Sequence, residues 1–148
     1  MPLINRNAIV PYSSMEMFEL VNNIEDYPKF LSWCYASRIL ARNQNEIDAE
    51  LTLIKNGIKK SFATRNLFQT GKHIEISLLS GPFHHLHGFW NFETLTPQKC
   101  EVSLSLEFEF NNKLLSLALN PVFTYIGDTL MEAFKNRAQE IYGKKDPD

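Results

Sequence analysis

The stretch Glu101-Val102-Ser103-Leu104-Ser105-Leu106-Glu107-Phe108-Glu109-Phe110 decides the fold. Apolar Val102, Leu104, Leu106, Phe108 and Phe110 alternate strictly with Ser and Glu. A period of two puts all five side chains on one face and the polar set on the other, the pattern of a half-buried strand in an antiparallel sheet. Weaker versions of the pattern occupy 3–10, 35–41, 47–54, 58–68, 73–79 and 85–95. Turn chemistry separates them: Asn43 to Asn45, Asn56-Gly57, Thr70-Gly71, Gly81-Pro82 and Thr96-Pro97. Seven strands in sequence joined by tight turns predict a meander.

Helical patterns interrupt the strands at two places. Ser13-Ser14-Met15-Glu16 has capping-box spacing, and Met17, Phe18 and Val21 follow on one face, so a short helix starts there. A second short helical segment is expected around 24–31, with Pro28 near its start. The long C-terminal helix is expected over 113–142, split at Asn120-Pro121, where proline removes a hydrogen bond and invites a hinge. After the proline, Leu130, Met131, Phe134, Ala138 and Ile141 form one narrow stripe opposite Glu132, Lys135, Asn136 and Glu140. Before and just after it, Leu114, Leu115, Leu117, Ala118, Leu119, Val122, Phe123, Tyr125 and Ile126 spread too widely for one packing face. That half of the helix needs a second partner: loops over a cavity, a bound lipid, or a membrane or protein surface.

The 148 residues suffice for one domain that buries about two-thirds of its unfolded surface. The domain is expected over 1–143, followed by a frayed, charged tail at 144–148. Apolar residues make up 44% and charged residues 22%, the balance of an ordinary globular chain. Eleven Phe, five Tyr and two Trp suit either a dense core or the lining of an apolar pocket. A formal net charge of −2 argues against bulk electrostatic binding of nucleic acid, and no DNA partner is expected. No charged and apolar leader opens the sequence, and no stretch reads as the ~18 apolar residues of a spanning helix, so a cytoplasmic protein is expected. Cys34 and Cys100 fit no metal or redox spacing and read as reduced, small apolar residues.

The candidates for chemistry are few. His85 and His87 share a strand face and could reach one ion, with His84 and His73 nearby, but no Cys or carboxylate supports them at ligand spacing, so no metal is assigned. No serine has His and Asp partners in a familiar order and no glycine-rich phosphate loop exists, so no catalytic residue is assigned and no enzyme is expected. Lys55, Lys59, Lys60 and Arg65 cluster about the Asn56-Gly57 turn. They are either a solvated hairpin tip or a patch facing an anionic partner, ribosomal RNA or acidic headgroups.

Four stretches carry a family resemblance: Tyr27-Pro28-Lys29-Phe30-Leu31-Ser32-Trp33-Cys34; Gly57 to Asn66; Gly81-Pro82-Phe83 with Leu86, Gly88, Trp90 and Phe92; and Phe108-Glu109-Phe110 leading to Phe123, Ala133-Phe134 and Arg137-Ala138. In this order they resemble the coenzyme Q-binding START-like family, related to polyketide cyclases, and its bacterial branch of ribosome association toxins. Ser32 departs from the proline usual before the Trp33 position. The resemblance implies an α+β helix-grip fold: a curved antiparallel sheet of about seven strands around a long C-terminal helix, with two short helices after the first strand. It implies that Trp33, Phe83, Leu86, Trp90, Phe92, Leu104, Leu106, Phe108, Phe110, Phe123, Leu130 and Phe134 line a cavity. Its ligand would be ubiquinone or another polyprenyl quinone, bound without catalysis and without a required cofactor, in support of respiratory electron transfer and with transient contact at the inner membrane. For the bacterial branch the implied partner is instead the large ribosomal subunit, whose association with the small one is blocked, with Lys55, Lys59, Lys60 and Arg65 as contacts.

Overall fold

A computed structural model describes residues 3–145. Strand β1 (Leu3–Val10) leads into helix α1 (Ser14–Asn22), a single 3-10 turn (Ile24–Asp26) and the short helix α2 (Tyr27–Phe30). Six strands follow: β2 (Cys34–Arg42), β3 (Glu46–Lys55), β4 (Ile58–Gln69), β5 (His73–Ser80), β6 (Phe83–Thr96) and β7 (Lys99–Phe110), before the long helix α3 (Lys113–Tyr142). All seven strands form one antiparallel sheet in the order β1-β7-β6-β5-β4-β3-β2. The meander is thus continuous from β2 to β7, and β1 closes the free side of β7.

Local sequence explains the joints. Ser13 accepts a hydrogen bond from the Glu16 N–H at 3.1 Å while Glu16 accepts one from the Ser13 N–H at 2.9 Å, the reciprocal capping box that starts α1. Asn56 and Gly57 both have positive φ, 51° and 80°, as the two-residue β3–β4 turn requires. Gly88 on β6 faces β7 so closely that a Cβ would lie 2.2 Å from the Ser105 carbonyl oxygen. Extra residues bend the ladder between Ala63 and Thr64, in β2, and at both ends of the β6–β7 pair.

Helix α3 runs unbroken through Pro121, in place of the expected split. The lost hydrogen bond is outweighed by packing: Leu119, Val122, Phe123 and Ile126 on the flanking turns are all buried, and each full burial contributes about 1.5–3 kcal/mol against a proline cost of about 3 kcal/mol. By length and composition α3 could cross a membrane. Its apolar face is nevertheless engaged by the sheet, with Leu119, Phe134 and Ala138 at 0–2% exposure. Of the expected C-terminal stripe, Leu130, Phe134 and Ala138 are buried, whereas Ile141 is half exposed. Tyr142 takes over that packing against Tyr12, at 6.1 Å between ring centroids. The expected tail is tied at Lys145, whose ammonium meets the Glu16 carboxylate at 3.1 Å; 146–148 lie outside the described residues.

Candidate functional site, an apolar cavity beneath the long helix

The placement of α3 creates the site. The helix packs mainly on β1, α1 and β7, and α2 packs on β2. At Gly127 the helix comes down onto β1, where an added Cβ would lie 2.8 Å from Ile4 Cγ2. The inner faces of the middle strands are only partly covered by helices, through ring contacts such as Phe18 on Phe68 and Phe123 on Phe62, and a cavity of about 110 Å³ remains there. Ala49, Leu51, Thr64, Asn66, Ile74 and Ile76 line it from β3, β4 and β5; Leu86, Trp90, Leu104 and Leu106 from β6 and β7; Phe123, Ile126, Gly127, Leu130 and Phe134 from α3. The volume accommodates several waters or one small ring, since a single water needs about 10–15 Å³ of such space.

Eight of the twelve expected lining residues reach the cavity: Trp33, Leu86, Trp90, Leu104, Leu106, Phe123, Leu130 and Phe134. The other four, Phe83, Phe92, Phe108 and Phe110, do not line it. Phe83 stacks on Phe110 at 4.6 Å, and Phe108 packs on Phe123 at 4.8 Å with Phe110 beside it. Together with Phe62 these rings form one aromatic cluster that borders the cavity through Phe62 and Phe123. Phe92 is covered from below by α1, through an edge contact with Phe18 at 5.7 Å. Alternation placed all four on the inner face, but a side chain on that face meets either open space or another ring.

Two lining residues carry polar side chains that the sequence reading overlooked. Thr64 and Asn66 are 6% and 8% exposed, and the Thr64 hydroxyl donates to Asn66 Oδ1 at 3.0 Å. The signal was present: Phe62, Thr64, Asn66 and Phe68 share one phase of β4, so two polar residues stand where a core strand would place apolar ones, while Leu67 points outward. The remaining chemistry of the lining is inert. The Tyr27 hydroxyl donates to the Val21 carbonyl, and burial raises its pKa. Burial likewise pushes the Cys34 thiol, beside the cavity, up to about 11, which keeps it a protonated, poor nucleophile at neutral pH.

The four residues expected to face an anionic partner do not form one patch. Arg65 pairs with Asp48 through two hydrogen bonds, at 2.9 and 3.0 Å, and stands 3.6 Å from Glu46. That Asp48 hydrogen bond holds the carboxyl of Asp48 below its usual range. Five register steps separate Arg65 from Lys60, so it lies well up the sheet from the turn. Lys55 sits 4.3 Å over the Tyr125 ring and Lys59 3.9 Å over the Tyr35 ring. Lys55, Lys59 and Lys60 have no carboxylate partner among the described residues. The histidines are dispersed: His87 meets Glu75 at 3.0 Å, His73 meets Asn91 at 2.6 Å, and among the described residues no group of three or more His, Cys, Asp or Glu side chains could hold a metal.

A seven-stranded sheet gripping a long helix over an apolar cavity defines the START-like class of fold. The chain belongs to the family described as polyketide cyclase / dehydrase and lipid transport, whose model matches residues 10–135. It is 40% identical over 140 residues to the ribosome association toxin RatA of Pseudomonas aeruginosa, covering 95% of this chain and 97% of that protein. It is 28% identical over 136 residues to the mitochondrial coenzyme Q-binding protein COQ10 of Dictyostelium discoideum, covering 89% of this chain and 66% of that one. The solution structure of an 18 kDa protein from Caulobacter crescentus superposes with a TM-score of 0.77 at 30% identity, covering 97% of this chain and all of that one.

Proposed function

We propose that this chain binds an apolar lipid in the cavity beneath α3, without transforming it, and that a polyprenyl quinone such as ubiquinone is the ligand. The observation that carries the reading is the cavity itself: an unfilled apolar space in a fold whose other inner faces are closely packed. Each methylene transferred there from water contributes about 0.8 kcal/mol in gross terms. At about 110 Å³ the space takes one ring rather than a whole prenyl chain, so a tail leaves through an opening or is admitted by movement of α3. The N-terminal half of α3 suits that role. Leu114 and Leu117 are 79% and 77% exposed, and Tyr125 with Lys55 above it continues the same side. Exposed leucines with Lys55, which has no carboxylate partner among the described residues, further along the same side fit the surface of a membrane with anionic headgroups, where the ligand would be exchanged.

Native mass spectrometry of protein purified without detergent tests this reading. A bound quinone or other lipid is expected. Organic extraction that yields none, with no uptake from vesicles, would refute it.

A second reading concerns the outer surface, and the higher identity to a ribosome association toxin than to a coenzyme Q-binding protein favours it. On this reading the chain acts in the cytoplasm as a toxin that binds the large ribosomal subunit and blocks its joining to the small one. Lys55, Lys59 and Lys60 would meet phosphates, and binding would weaken steeply with salt. The two readings use different surfaces and are separable. Unchanged ribosome profiles on overexpression, with no co-sedimentation at low salt, would remove the second and leave the first standing.

A further inference from the structure

We infer that Asn66, held by Thr64, is the group that recognises the polar end of the ligand, and that it selects a lipid carrying a carbonyl oxygen. This rests on the cavity being a ligand site. Asn66 Oδ1 is occupied by the Thr64 hydroxyl, whereas the Asn66 side-chain N–H₂ has no hydrogen-bond partner among the described residues. A buried amide left in this state costs about 1–3 kcal/mol, which a fold has no reason to retain inside an apolar cavity unless something there accepts its protons. Among the described residues, Asn22 Oδ1 is the one unpartnered side-chain polar atom sealed from all space. The Asn66 nitrogen is therefore open to space, and for a residue 8% exposed that lines the cavity, that space is the cavity.

The remaining polar lining points the same way. The indole N–H groups of Trp33 and Trp90 also have no partner among the described residues, and both rings line the cavity. The Thr64 hydroxyl has already used its single proton on Asn66. The Asn66 N–H₂ and the two indoles are thus unused donors in the lining, which favours a ligand carrying an acceptor such as a quinone, ketone or ester oxygen over a pure hydrocarbon. Thr64 holds the Asn66 amide in place through this hydrogen bond, so it is a positioning residue.

The test uses two probes of equal size: a butyl-trimethyl-benzoquinone, and the benzene carrying the same four alkyl groups. With its ring fully substituted, the quinone offers no position for thiol addition. Calorimetric titration of the wild-type protein should give affinity about five- to tenfold higher for the quinone, the worth of one net hydrogen bond. Asn66→Leu should abolish that preference while binding the hydrocarbon at least as well, and Thr64→Val should reduce it in part. Equal wild-type affinity for the two probes would overturn the assignment of Asn66 and leave the cavity as a lipid site. Loss of both affinities together in Asn66→Leu with the fold intact would also overturn it. Binding of neither probe to the wild type would overturn the cavity reading as well. Should Asn66→Leu fail to fold, the wild-type ratio alone decides.

Discussion

The two halves of α3 belong to one helix and are held in opposite ways. From Leu130 onward the helix is clamped: Phe134 meets Tyr27, Phe30 and Trp90 with ring centroids 5.3–5.7 Å apart. The Tyr142 hydroxyl donates to the Glu16 carbonyl at 3.0 Å, and the Tyr12 hydroxyl donates to the Gly143 carbonyl at 2.8 Å. Before Pro121 the helix has a side-chain cap, Asn112 Oδ1 accepting from the Leu115 N–H at 2.8 Å, and a single buried residue, Leu119. Apolar content does not separate the halves, since Leu114, Leu115 and Leu117 rival anything downstream. What separates them is whether a partner lies opposite. The downstream half meets α1, α2 and the sheet and serves as the anchor. The upstream half supplies none of the cavity lining and leaves Leu114 and Leu117 in solvent, an arrangement that favours local opening.

Breaking the anchor should have the largest effect. Phe134→Ala removes a ring at 2% exposure that also lines the cavity, and should cost about 3–5 kcal/mol in chemical denaturation. A loss below about 1 kcal/mol would show that this half is not the clamp. Next comes the pivot. Gly127→Leu forces a side chain against Ile4 and should cost about 1–3 kcal/mol. It should also lower ligand uptake, because the intruding side chain occupies cavity space.

How much of this contrast could be read from the sequence depends on what each pattern encodes. Period-two alternation gave every strand of the sheet to within three residues, because an inward face and an outward face are local properties. The excess breadth of apolar residues over 114–126 likewise marked a segment lacking a single packing face. Closure is not local. Phe108 and Leu104 share a phase of β7, yet Phe108 meets Phe123 and Leu104 meets the cavity, a difference set by where α3 crosses the sheet. The continuity of α3 through Pro121 was hidden for the same reason, since tertiary burial outweighs the local proline cost. Thr64 and Asn66 break the inward phase of β4 and are legible in the sequence, although there they enter only within the stretch Gly57 to Asn66 that carries the family resemblance.

A smaller effect links the anchor to pH. Burial pushes the Glu16 carboxyl up, but the hydrogen bonds from Ser13 and the ammonium of Lys145 outweigh it and leave the group below its ordinary 4.5. A depressed pKa stabilises the fold in full above the unfolded value, and that contribution is lost as pH falls through the folded value. Glu16→Ala should therefore cost about 1 kcal/mol near neutral pH, and the gap to wild type should narrow as pH falls from about 6 to about 3. A gap that is constant with pH would contradict the role of the ionised carboxylate.

The smallest effect on stability belongs to the overhanging half. Leu114→Ser with Leu117→Ser should change unfolding free energy by no more than about 0.5 kcal/mol per site. Transfer of quinone between the protein and vesicles containing anionic lipid should nevertheless slow, and unchanged transfer would show that this stripe is not the exchange face.

Hydrogen exchange along α3, read by mass spectrometry, tests the division of the helix most directly. Amides over 113–120 should exchange at least about tenfold faster than those over 130–142, and saturating the cavity with the benzoquinone probe should protect the first segment and leave the second unchanged. Uniform protection along the whole helix, unaltered by the probe, would contradict a helix that is anchor at one end and lid at the other.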